Sequence, residues 1–151
     1  MSTQLGEVMA SLDQIKRVRK QSENFVEIMC SLEKASYNRF QDIKFDRATL
    51  PALDFRVALY ERVLYARYGH VIHGTELYGR FEFFEFDARF LAETQLNEKP
   101  LFTLDIDNSG RCQIGESTVQ FSGYGDEKLH ARETVVIFIV MEIQRIITVV
   151  S

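Results

Sequence analysis

Tyr78-Gly79-Arg80-Phe81-Glu82-Phe83-Phe84-Glu85-Phe86 carries the reading that decides the fold. Aromatic and polar residues alternate through it, and a period of two sends successive side chains to opposite faces of a strand. The parity of the rings then shifts, from Phe81 and Phe83 to Phe84, Phe86 and Phe90. One extra residue at Phe83–Phe84 reconciles the two halves, so a bulge is expected there, with all five rings on one face. The same alternation runs from His70 to Phe121. Phe102, Leu104 and Ile106 lead into Asp107-Asn108-Ser109-Gly110, a turn with Gly available for a left-handed position, and Cys112, Ile114, Val119 and Phe121 continue beyond it. An antiparallel meander follows.

Outward from the meander the period changes. Leu5, Val8, Met9, Leu12, Ile15 and Val18, then Phe25, Val26, Ile28, Met29 and Leu32, recur at three- and four-residue spacings, which predicts an amphipathic helix over about residues 3–36. The mixed segment 37–50 has room for one short strand. Leu53, Val57, Tyr60 and Leu64 keep helical spacing between Pro51 and Gly69, predicting a second helix over 53–68. Val57, Leu59, Val63 and Tyr65 also alternate as a strand would, so that segment has two readings. Past Asp126, a suitable N-cap, Leu129, Val136, Ile143 and Val150 stand at seven-residue intervals and predict a last helix. Val135 to Met141 is apolar without interruption, so the helix needs cover on nearly every side. The expected fold is α+β, an antiparallel β-meander packed against a long N-terminal helix and a buried C-terminal helix, as a single domain over 1–151.

Composition narrows the function classes. A chain of 151 residues, 46% apolar with twelve Phe and six Tyr, has the makings of a real core and is not disordered. Its formal charge of −4 argues against nucleic acid as a partner. Residues 71–126 hold ten acidic and four basic side chains, and the one dense basic cluster is Lys16, Arg17, Arg19 and Lys20, read as a solvated helix face. Cys30 and Cys112 are expected as free thiols. The opening MSTQLGEVMASLDQ has no basic start followed by an apolar run, so a cytoplasmic location is expected. Glu142, Gln144 and Arg145 interrupt the C-terminal apolar run well short of the ~20 residues of a membrane span.

The motifs carry little chemistry. Residues 105–116 fit the calcium-loop spacing, with Asp105, Asp107, Ser109, Gly110 and Glu116 in place, but Pro100 and the alternating flanks favour a hairpin over a helix–loop–helix. His70 and His73 would lie on opposite faces of a strand, and His130 and Cys112 are the other soft ligands, so no zinc site is expected. Phosphate-loop, dinucleotide and nucleophile-elbow motifs are missing, and neither a cofactor nor a catalytic residue is assigned. The acids Glu82, Glu85 and Asp87 read as the solvated side of a strand.

Two function classes remain. The first is a non-enzymatic protein-interaction domain of the inhibitor, immunity or chaperone type, a homo-oligomer joined through Val135, Phe138 and Met141, with Glu82, Glu85 and Asp87 presented to a protein partner. The second is a small-molecule binding domain or enzyme with an apolar pocket lined by Phe81, Phe84, Phe86 and Val136. A Phe-lined sheet closed by a long C-terminal helix is similar in architecture to helix-grip proteins, although this chain opens on a helix where those open on a strand.

Overall fold

The computed structural model describes residues 2–31, 42–47, 53–59, 62–86, 99–121 and 126–149. In chain order the elements are α1 (Ser2–Ser31), β1 (Ile43–Asp46), β2 (Phe55–Leu59), β3 (Arg62–His73), β4 (Glu76–Phe86), β5 (Phe102–Ile106), β6 (Arg111–Ile114), β7 (Ser117–Gln120) and α2 (Asp126–Val149). The strands form one antiparallel sheet in sequential order, β1 to β7, and both helices contribute to its apolar core. The α+β meander with a long first helix and a C-terminal helix is the architecture of the chain. The short strand in 37–50 is β1, while residues 32–36 of the expected first helix lie outside the described residues.

Within 53–68, residues 55–59 and 62–68 form strand and not helix. Val57 pairs with Leu64 and Ala58 with Val63, so β2 and β3 run antiparallel side by side. Phe55, Val57, Leu64 and Ala66 are buried on the inner face, and that face accounts for apolar residues that also fell at helical spacing. β-Branched and aromatic residues whose neighbours supply a ladder on both sides gain more from pairing than from an isolated helical turn.

The β3–β4 ladder is unbroken from Val63↔Phe86 to His73↔Glu76, so the expected bulge at Phe83–Phe84 is absent and the rings divide between the faces. Phe81 and Phe83 point inward and are fully buried. Phe84 points outward and is covered by the Arg67 guanidinium, 4.9 Å from the ring centroid. The parity shift in the sequence therefore records two apolar faces and no inserted residue.

The first helix crosses the inner face, touching β1, β4 and β5. Phe25 is its central plug, with ring centroids 5.2 Å from Phe81, 5.0 Å from Phe121 and 6.2 Å from Phe55. Gly79 lets the helix come close, because a Cβ there would stand 2.5 Å from the Ser22 Oγ and 2.7 Å from the Tyr68 Oη. From α2, the buried Arg132 donates from Nε to the Met29 carbonyl at 3.2 Å, in the last turn of α1, where carbonyls lack helical partners and a cation suits the dipole. Its guanidinium also lies over Phe45, 5.1 Å from the centroid, so one side chain joins both helices and the first strand.

Candidate functional site

The solvent face of the sheet pairs its charges. Arg56 meets Asp46 at 2.6 Å, Arg67 meets Glu82 at 3.2 Å, and Arg80 grips Asp105 through Nε and Nη2 at 2.7 and 2.9 Å. Glu85 lies at the end of the inner face, paired with Arg62 at 2.7 Å. Glu82 and Glu85 thus fall on opposite sides of β4, each beside an arginine, and do not form one acidic surface; Asp87 lies outside the described residues. Surface ion pairs of this kind add little stability, and here they place an arginine beside each of Glu82, Glu85 and Asp105.

Asp54, almost fully buried just before β2, accepts from the Tyr65 hydroxyl and the Tyr68 amide, both at 2.8 Å. Burial, then the Asp54 hydrogen bond and charge, push the Tyr65 hydroxyl up to about 12. A phenol held neutral in the folded state contributes stability that is complete below the ordinary value near 10 and is lost as pH rises from there toward 12. Tyr65→Phe is therefore expected to flatten the decline in thermal midpoint between pH 10 and 12, measured by circular dichroism. An equal decline in both proteins would contradict it.

The segment 105–116 is a β-hairpin. Asp105 sits on β5 under Arg80, and the Asp107 Oδ1 accepts from the Ser109 amide at 2.9 Å, the Ser109 hydroxyl at 2.7 Å and the Arg111 amide at 3.0 Å. Gly110 takes a positive φ of 85° to close the turn, and the exposed Glu116 belongs to the next turn, between β6 and β7. Asp105, which would lead a calcium loop, is held by Arg80, and Asp107, its third position, is spent on the turn. His70 and His73 lie on opposite faces, His70 beside the Tyr68 hydroxyl at 3.2 Å and His73 beside Arg80 at 3.0 Å. Among the described residues, no group of three or more His, Cys, Asp or Glu side chains is placed to hold a metal ion. Neither cysteine is in a disulfide; Cys112 is buried, which raises its pKa well above the ordinary thiol value, and Cys30 is half-buried.

The residues expected to line an apolar pocket do not share a space. Phe81 packs inward against Phe25 and Phe55, Phe84 faces outward beneath Arg67, and Val136 is fully buried in the core. The Phe86 side chain lies outside the described residues. Where α2 passes the end of β5 there is instead a cleft of about 600 Å³, floored by Phe102 and Phe138 and rimmed by Thr103, Asp105, Gln113 and Glu142.

The C-terminal helix is not covered on every side. Ala131, Val135, Val136, Ile139 and Ile143 face the core, which takes Val135 out of any intermolecular surface. Phe138 is half-buried, edge-on to Phe102 with centroids 5.6 Å apart. Ile137 and Met141, one turn apart, are 41% and 57% exposed. Leu101, at the mouth of the cleft, is also exposed. Of the three residues expected at a self-association surface, Met141 is open, Phe138 partly so and Val135 not at all. Ile137 and Leu101 were not singled out from the sequence, because the heptad spacing gives the direction of the core but not how far the sheet reaches around the helix. The chain matches no protein-family model, no curated protein and no solved structure.

Proposed function

We propose that the chain is a non-enzymatic, cytoplasmic protein-interaction domain that self-associates through the exposed side of α2. One observation carries the reading: Ile137 and Met141 stand open to solvent in a helix whose other side is core, beside the half-buried Phe138. Large apolar side chains grouped on a surface mark association sites more often than isolated ones do. A helix strip is also self-complementary about a two-fold axis, so a second copy is the simplest occupant. The paired charges of the sheet fit a role in binding.

Ile137→Asp combined with Met141→Asp is expected to convert the dimer into folded monomers, with the dissociation constant raised by about 100-fold or more, in keeping with truncation of two central interface residues. Sedimentation velocity reads the oligomer and far-ultraviolet circular dichroism reads the fold. A variant that unfolds, or one that remains as associated as the wild type, contradicts the assignment of this surface.

A second reading, small-molecule binding, is favoured by the cleft beside Phe102 and Phe138, whose volume falls within the range of ligand sites. It differs from the first in leaving the wild-type protein monomeric.

A further inference from the structure

The first helix is longer than the sheet it crosses. Thirty residues span about 45 Å, whereas seven strands are about 29 Å from first to last. The overhang is the N-terminal half. Every described side chain from Leu5 to Gln14 is exposed, Ile15 is half-buried, and Val18 is the first to be fully buried. Leu5, Val8, Met9 and Leu12 are nevertheless at helical spacing on one face, and each is between 51% and 66% exposed.

The charges placed beside this stripe select its occupant. Lys16 follows Leu12 by four residues, Arg19 by seven and Lys20 by eight, so all three continue the face of the apolar stripe, and all are exposed. Arg17 and Arg19 lie 3.1 and 3.5 Å from Asp13 and Glu23, and the four cations outnumber these two anions. Glu7 lies round toward the opposite side of the helix. A second copy fits this surface badly. In a parallel pair with Leu5, Val8, Leu12 and Ile15 at the seam, Arg19 takes the next seam position and meets its own copy. In an antiparallel pair the basic cluster meets the positive end of the partner helix. An apolar stripe of three turns followed by cations on the same face matches a lipid bilayer with anionic headgroups, where the apolar side chains enter the acyl boundary and the cations stay at the headgroups.

We infer that the N-terminal half of α1 is an interfacial anchor that lays this domain on an anionic membrane surface. It spans nothing: no helix among the described residues is long and apolar enough to cross a membrane. The surface is separate from Ile137 and Met141 on α2, so anchoring and self-association are independent properties.

Vesicle co-sedimentation of the full chain tests this. The wild type is expected to pellet with vesicles of phosphatidylcholine and phosphatidylglycerol, and to stay in solution with phosphatidylcholine alone. Leu5→Asp with Leu12→Asp is expected to abolish pelleting while the thermal midpoint is unchanged, because both positions lie outside the packed body. Lys16→Glu with Lys20→Glu is expected to weaken partitioning at least 25-fold, at about fivefold for each cation removed. A wild type that ignores anionic vesicles overturns the inference. So does pelleting unaffected by the Leu5 and Leu12 changes, or a lipid-free dimer that those changes dissolve, which would make the stripe a protein seam.

Discussion

Phe25→Ala is expected to cost about 3–5 kcal/mol, the usual range for deleting a fully buried ring. Against a total of about 5–15 kcal/mol for a domain, that is a large share from one side chain. The effect is large because the ring touches Phe55 on β2, Phe81 on β4 and Phe121 just after β7, so it joins the helix to widely separated parts of the sheet. The surrounding strands are held by their ladders and cannot collapse far into the space left behind. Urea unfolding measures it: a fall in midpoint with little change in slope is the expected result. A loss below about 1 kcal/mol would mean that α1 is not packed as described.

Val135→Asp is expected to do more. The side chain is fully buried on the inner side of α2, among the apolar side chains of the core. Either the charge enters an apolar core or the group takes up a proton at a cost of several kcal/mol, beyond about 4 kcal/mol in sum. A fall in thermal midpoint of roughly 10 °C or more follows for a chain of this size. The comparison with Met141→Asp is informative, because the two residues are six apart on the same helix and were both expected at one interface. The first substitution should unfold the protein and the second should leave its circular dichroism and melting unchanged. Equal effects would mean that the helix is rotated from the orientation described.

The parts of the fold legible in the sequence are those where one period dominates. Phe102, Leu104 and Ile106 alternate with nothing at helical spacing to compete, and β5 lies where they place it. The seven-residue spacing of Leu129, Val136 and Ile143 likewise gave α2, whose first residue is Asp126. Two periods overlap at 53–68, and the apolar residues alone cannot choose between them. What decides is the register with β1 and β4, in which Val57 faces Phe45 and Ala66 faces Phe83, a non-local fact that no window along the chain contains. At Phe83–Phe84 the misleading assumption was that every ring belongs to the core. Arg67 covers Phe84 from the outside, but its role depends on a segment whose spacing fits helix and strand alike.

Surface function was harder to read for a related reason. Apolar residues recur at three- and four-residue spacings in α1 from Leu5 to Val18 and again from Phe25 to Met29, and the spacing does not say which of them the sheet covers. Composition also overstated the acidic surface. Ten acids in residues 71–126 include Glu82, Glu85 and Asp105, and each of these faces an arginine, Arg67 and Arg62 on β3 and Arg80 on β4. The EF-hand spacing at 105–116 matched in one dimension, while the flanking strands and Gly110 turned the same residues into a hairpin.

Sedimentation equilibrium of the wild-type protein, without lipid and at concentrations from about 1 to 100 µM, tests the central claim most directly. The expected result is a reversible dimer across that range, with a dissociation constant in the micromolar region that suits a small interface built on Ile137, Phe138 and Met141. A single species of monomer mass at every concentration would contradict the claim.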